Sequence, residues 1–382
     1  MQIPAEFDEI RPFSPEELPK AFDELISDEQ FRKAMGKIFP NAPFETLVLQ
    51  MRQCKTSLEF QKTFCYQFLK DLAKKCGKGL DIDASAVDNT HNYTFVSNHR
   101  DIVLDSAFLS VLLLDAGFPT TVEIAIGDNL LALPWIKTLV RINKSFIVQR
   151  ALTMRQMLES SSRLSRYMHF AVIEKNENIW IAQREGRAKD SNDRTQTSIL
   201  KMMCMGGEGS AIERLLQLHI VPLAISYEYD SCDFLKAKEF QQKRDTADFK
   251  KSKEDDLISM KTGIFGYKGR IHYQCAPCID AWLKTLDDKM PKGELFEMIA
   301  SHIDTEIHRN YRLYPSNYIA LDLLHHDTQY ASKYNASEKA DFEQYVENQL
   351  AKIELPNKDE AFLRERLLTM YAYPAINYLA AI

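Results

Sequence analysis

Apolar and polar positions change period twice along the chain. Up to about residue 85 the pattern is helical. Ser14-Pro15-Glu16-Glu17 reads as an N-terminal cap with proline at the first helical position, and Phe60, Phe64, Phe68 and Leu72 recur every fourth residue as a core-facing stripe. Gly77 and Gly79 punctuate the chain. From Tyr93 short apolar runs alternate with longer amphipathic stretches, which predicts strands at 93–97, 121–126, 145–149, 177–183, 219–226 and 270–275. Residues 238–261 are strongly charged with no evident apolar face and predict a solvated helix or insertion. Beyond about 285 the helical period returns: MIASHIDTEIHRNYRLYP closes at Pro315, a further helical stretch follows from Ser316, and a last amphipathic helix is expected near 359–371. The expected fold class is α/β, a mixed sheet flanked by helices. An α/β domain over 86–284 would lie between a helical N-terminal region, 1–85, and a helical C-terminal region, 285–382.

Composition narrows the setting. A chain of 382 residues, 45% hydrophobic, can bury a large core. A net charge of -6 argues against a surface devoted to nucleic acid, while leaving room for local basic patches. Seven cysteines and the absence of a signal-peptide pattern at Met1-Gln2-Ile3-Pro4 predict reduced thiols in a cytoplasmic protein. The apolar runs of 107–140 are cut by Asp115, Glu123, Asp128 and Lys137, so no transmembrane span is expected. One window departs from the acidic background. Residues 129–158 carry Lys137, Arg141, Lys144, Arg150 and Arg155, interleaved with Leu130, Trp135, Ile136, Leu139 and other apolar residues, and are acid-free up to Leu158. Such a run is a candidate membrane-surface segment, or alternatively a core helix with solvated cations.

Four blocks carry candidate chemistry. FVSNHRDIVLDSAFLS places His99 at a strand end and Asp105 at the head of the next helix, where a carboxylate can hold one imidazole nitrogen while the other takes a proton. Asp101 is a competing partner. NKSFIVQR ends an edge-like strand in Arg150. IWIAQREGRAKD delivers Glu185, Gly186 and Arg187 to a loop beside Lys189, a set whose cations suit a phosphate dianion and whose glycine permits close approach. IVPLAISYEYD opens a strand near Pro222. Singly, each block has a bland reading as a cap, surface charge, turn or strand-start proline.

The order and spacing of His99, Arg150, Glu185 to Arg187 and Pro222 resemble the four sequence blocks of the glycerophospholipid acyltransferases, the glycerol-3-phosphate and lysophosphatidate acyltransferases among them. The resemblance covers about 93–280. GDNLLALPWIKTLVRINKSFIVQR is similar to the approach to the second block, KGRIHYQCAPCID to a late strand, and YRLYPSNYIALDLL to the tail of the glycerol-3-phosphate type. One departure is visible: the family places four residues between histidine and aspartate, and here five separate His99 from Asp105.

The resemblance implies an O-acyltransferase of phospholipid synthesis. His99 would be the general base and Asp105 its orienting partner. Arg150, Arg187 and Lys189 would hold an acceptor phosphate in a pocket shaped by Glu185 and Gly186, and Pro222 would be linked to the acyl donor. It implies acyl-CoA or acyl carrier protein as co-substrate, a phosphorylated glycerol or lysolipid acceptor, no cofactor and no metal. It also implies a peripheral position on the cytoplasmic face of the membrane, with no nucleic-acid partner. The rival expectation is a non-catalytic lipid-binding protein of the same fold, its carboxylate misaligned by the extra residue; a different hydroxylated lipid acceptor is the alternative within the enzyme class. Cys275-x-x-Cys278, MGGEGS at 205–210 and His325-His326-Asp327 are read as thiols, a turn and tail residues.

Overall fold

The computed structural model describes residues 3–131, 133–150 and 153–382. Five helices open the chain: α1 (Leu18–Ser27), α2 (Glu29–Ile38), α3 (Phe44–Gln53), α4 (Ser57–Phe60) and α5 (Tyr66–Cys76). Their inward residues, Phe22, Phe31, Leu47, Met51, Phe60 and Phe64 among them, make a core of their own. Seven strands follow: β1 (Gly77–Asp83), β2 (Thr94–Ser97), β3 (Val122–Gly127), β4 (Ser145–Val148), β5 (Asn178–Ala182), β6 (Ile220–Tyr227) and β7 (Gly269–Cys275). They form one mixed sheet in the order β1-β7-β6-β2-β5-β3-β4, parallel throughout except where β7 runs antiparallel to β6. The central strands are buried, as runs such as TFVS and IVPLAISY require of a parallel sheet covered on both faces.

The connections supply the covering layers: α6 (Leu104–Asp115), α7 (Pro134–Ile142), α8 (Met154–Ile173), α9 (Thr197–Met203), α10 (Ala211–Leu216), α11 (Asp233–Asp245), α12 (Lys253–Phe265) and α13 (Asp280–Leu283). The chain ends in α14 (Lys292–Arg309), α15 (Pro315–His325), α16 (Ala336–Ala351) and α17 (Glu360–Ala381). Ile299, Ile303 and Ile307 of α14 join the core beneath the sheet, while α15 to α17 close a separate core that includes Ala237 of α11.

Three expectations need correction. The sheet starts before the expected boundary near 85, because β1 already pairs with β7; as a half-exposed edge strand, GKGLDID shows little apolar alternation. The charged segment is two helices, and α11 is not solvated. Its Lys236 and Glu239 are buried and ion-paired with Asp230 and with Lys189, Lys243 and Lys251, so the charges conceal a packed face. The window 129–158 does not present α7 to a membrane. Trp135 packs on Phe31 with its indole N–H toward Gln30, and Leu139 and Ile142 join the N-terminal core. Arg141 donates to the carbonyls of Arg11 and Asp8 and lies over the Phe13 ring. Ala132, Ala151 and Leu152 of that window lie outside the described residues.

Candidate active site

In parallel α/β sheets the loops leaving the C-terminal strand ends converge on one edge, where ligands bind. Here that edge collects His99 after β2, Gly127 at the end of β3, Arg150 after β4, the 183–191 loop after β5 and Glu228 to Asp230 after β6. β7 runs the other way, so the turn between α12 and β7 lies at the same edge.

The loop that carries His99 is fixed by its own polar residues. The Asn98 side chain accepts from the Ile225 N–H at 2.8 Å and donates to the Ile225 carbonyl at 2.9 Å, clamping the end of β2 to β6. Asp101 accepts from the N–H groups of Val103 and Leu104 and serves the free donors at the start of α6. Burial and the neighbouring Asp105 raise the Asp101 pKa. Asp105, on the first turn of α6, is fully buried. Its Oδ2 accepts from the Arg100 N–H at 2.6 Å, from the Asp101 N–H at 3.1 Å and from His99 Nδ1 at 2.8 Å. The extra residue between histidine and aspartate is absorbed in this turn, and Asp105, not Asp101, reaches the imidazole.

A carboxylate only accepts, so Nδ1 carries the proton of that hydrogen bond and Nε2 is left with a lone pair. Nε2 has no partner among the described residues, and the side chain is 13% exposed. The edge of the Trp180 ring supports the imidazole at 5.4 Å, and the Trp180 indole is itself held by Ser97 Oγ. Tyr273 donates to the Asp105 carbonyl at 2.9 Å, which fixes the head of α6 from β7. The arrangement can remove a proton from a group brought to Nε2 and hold the resulting imidazolium against Asp105.

The cations sort differently from the sequence expectation. Arg150 lies across Gly127, where a Cβ would meet its Nε at 2.7 Å, and pairs with Glu185 at 3.4 Å. Gly186 adopts φ 68°, a left-handed conformation that glycine tolerates, and the space where its Cβ would point is open. Arg187 turns inward beside Cys232, Asp230 and Asp101. Burial opposes its charge, these neighbours outweigh that, and its pKa is raised; Nη1 has no hydrogen-bond partner among the described residues. Lys189 is engaged by Glu239 of α11, and burial brings its pKa down to about 8 against the pull of that carboxylate. Pro222 requires correction as a contact residue. It is buried in β6 opposite Val96, below the level at which His99 leaves the sheet, so any influence on a ligand passes through the strand.

Sequence reasoning missed what holds the loops in place. Arg100 makes a buried ion pair with Asp193 at 2.7 Å, and Tyr311 donates to the same carboxylate at 2.6 Å. Burial pushes the His308 imidazole down to about 4, and its Nε2 contacts the Asp193 carbonyl at 2.9 Å. Asp304 accepts from both the backbone and hydroxyl of Thr195. The C-terminal helices thus fasten the loop after β5 to the His99 loop. The residue next to His99 is charged, a weak hint; nothing in the sequence singles out Asp193.

Two concavities, of about 420 and 390 Å³, lie elsewhere. One is lined by Val87, Asn89 and Phe118, the other by Arg194, Asp304, His308 and Asn377. Among the described residues, one group brings three potential metal ligands within 4.8 Å of one another: His219, Cys278 and Asp280. It sits at the opposite edge of the sheet, where β6 begins and β7 ends, and so does not belong to the His99 site.

Residues 82–226 match the acyltransferase family model, a span that runs from the end of β1 into β6 and contains His99, Asp105, Arg150, Glu185 to Lys189 and Pro222. Among solved structures, the chain is similar to the 1-acyl-sn-glycerophosphate (LPA) acyltransferase PlsC from Thermotoga maritima. That match has 13% identity and a TM-score of 0.36 and covers 76% of this chain and 95% of that one. No curated protein matches the chain.

Proposed function

We propose that this chain, whose residues 82–226 match the acyltransferase family model, moves a fatty acyl group from acyl-CoA or acyl carrier protein to the hydroxyl of a glycerol phosphate-type acceptor. The observation that carries this reading is the pairing of His99 Nδ1 with a buried Asp105 while Nε2 has no partner among the described residues, on the strand-end edge that also holds Arg150 and Arg187. Nε2 takes the hydroxyl proton as the acceptor oxygen attacks the thioester carbonyl. The new C–O ester bond forms, the C–S bond breaks, and the proton passes from the imidazolium to the departing thiolate. Positioned proton transfer of this kind contributes about 10²–10⁴-fold, and alignment of the two substrates supplies much of the rest. Arg150 reaches the acceptor phosphate by exchanging Glu185 for it, and Arg187, turned inward beside Asp230 and Asp101, has Nη1 left to offer it. The well-made His99–Asp105 contact favours catalysis over a purely lipid-binding role.

The direct test supplies purified protein with labelled acyl-CoA or acyl carrier protein and a panel of glycerol 3-phosphate, lysophosphatidate, glycerol and other hydroxylated lipids. Acyl ester should form on the phosphorylated acceptors. Transfer to none of the panel overturns the reading.

Lys189 gives a pH signature. If it leaves Glu239 to help hold the phosphate, the KM for a phosphorylated acceptor should climb as pH rises through about 8, where the ammonium loses its charge. Lys189→Gln should start from a higher KM at pH 7 and lack that rise. Matching pH profiles would remove Lys189 from the phosphate site.

The protein would work at the cytoplasmic face of the membrane, as a peripheral enzyme. With α7 covered by the N-terminal helices, the part of 129–158 left for lipid is the start of α8, where Met154, Met157 and Leu158 are exposed beside Arg155.

A further inference from the structure

The start of β6 and the chain that leaves β7 meet at the edge of the sheet opposite His99. Past Cys275 the chain runs on along β6. The Ala276 N–H donates to the Pro222 carbonyl at 2.9 Å, and the Ile279 N–H donates to the Ile220 carbonyl at 3.0 Å. Ile279 is buried in the core, so Cys278 and Asp280 on either side of it are held beside His219, the residue that leads into β6. One potential ligand atom from each of the three lies within 4.8 Å of the others, and His219 Nδ1 is 2.6 Å from Asp280 Oδ2.

Three further observations separate this cluster from an ordinary surface ion pair. Oδ1 of Asp280 is buried and has no hydrogen-bond partner among the described residues, so half of the carboxylate is left for a ligand. The backbone at His219 is left-handed, with φ 46°, a conformation that glycine or asparagine adopts at less cost; a histidine kept there brings its ring to Asp280. The two cysteines of Cys275-x-x-Cys278 also part company. Cys275 is buried in the core that holds Ile271 and Tyr273, whereas Cys278 is half-buried and lies beside the Asp280 carboxylate.

We infer that His219, Cys278 and Asp280 form a binding site for a divalent transition-metal ion, zinc above all, with water in the fourth position. Imidazole, thiolate and carboxylate are the ligand types of Zn²⁺, whereas Mg²⁺ and Ca²⁺ take oxygen ligands. Zinc–ligand bonds of about 2.0–2.3 Å set tetrahedral ligand atoms about 3.3–3.8 Å apart, so His219 and Asp280 separate by about 1 Å on binding. The His219 side chain is 47% exposed and free to make that adjustment. The thiol proton leaves to solvent, and the imidazole proton moves to Nε2 as Nδ1 takes the ion. Thiolate and carboxylate then balance the double charge of the metal. The ion joins chain segments 61 positions apart, the start of β6 and the continuation of β7. No step of the proposed acyl transfer passes through this site, and binding is read without turnover, so the two stand or fall separately.

The test treats the full-length protein with chelator, keeps it reduced and titrates it with Co²⁺, followed by Zn²⁺. One equivalent of Co²⁺ should give the charge-transfer absorption of a thiolate–cobalt bond, and Zn²⁺ should displace it. Zn²⁺ should also raise the Tm of the wild type. Cys278→Ser should abolish the charge-transfer band and the rise in Tm. An outer-shell partner is worth about 10–100-fold in metal affinity, and a ligand is worth no less, so His219→Asn and Asp280→Asn should each weaken Co²⁺ binding at least about tenfold. Asparagine at 219 keeps the left-handed backbone accessible. His99→Ala should bind the metal as wild type does. A wild-type protein without the charge-transfer band, or a band that survives Cys278→Ser, overturns the inference. So does an affinity that neither His219→Asn nor Asp280→Asn alters, since the ion would then be held elsewhere and the cluster would be an ion pair beside a thiol.

Discussion

Replacing Asp193 by alanine is expected to cost about 3–5 kcal/mol of folding stability, read as a lower urea midpoint at unchanged slope. The Arg100 and Asp193 side chains are 6% and 1% exposed, and they meet at 2.7 Å. Burial opposes the Arg100 charge, while Asp193, Tyr311, Asp230 and Asp105 together raise its pKa. Removing the carboxylate leaves a guanidinium in the interior whose Nη1 has no partner among the described residues, and it also strands the Tyr311 hydroxyl. The cost comes from the uncompensated charge. Arg100→Met/Asp193→Leu should therefore recover most of the loss, because apolar side chains of similar size often replace a buried pair without penalty. A loss below about 1 kcal/mol for Asp193→Ala would mean that the pair behaves like a surface contact and does not fasten the two loops.

The sheet was legible because its central strands are buried on both faces and write themselves as short apolar runs. All six expected strands are present, with ends shifted by a residue or so. The stripe from Phe60 to Leu72 is likewise core-facing, although its backbone passes through a wide turn at Gln61–Cys65 that a spacing of four does not reveal. What stayed hidden had physical causes. Edge strand β1 needs only one covered side. Helix α11 buries charges as ion pairs, which a count of charged residues reads as solvent exposure. Helix α17 continues past the expected end to Ala381 with Pro374 inside it, since packing against α15 and α11 outweighs one lost hydrogen bond.

The candidate site divides in the same way. His99 and Asp105 are six positions apart on one turn, so local sequence could suggest their meeting. The partners of the cations come from distant segments. Glu239 lies fifty positions from the Lys189 it engages, and Tyr311 more than a hundred from the Asp193 it bonds. Spacing along the chain says nothing about such pairs.

The central claim is that Nε2 of His99, freed by the grip of Asp105 on Nδ1, draws the proton from an acceptor hydroxyl. The most direct measurement is kcat for acyl transfer to glycerol 3-phosphate by wild type and His99→Ala, with thermal melting and vesicle binding recorded on the same samples. A fall in kcat of about 10²–10⁴-fold is predicted, with melting and lipid binding close to wild type. A His99→Ala enzyme that melts normally and turns over within about tenfold of wild type would contradict it, because the proton would then leave by another route.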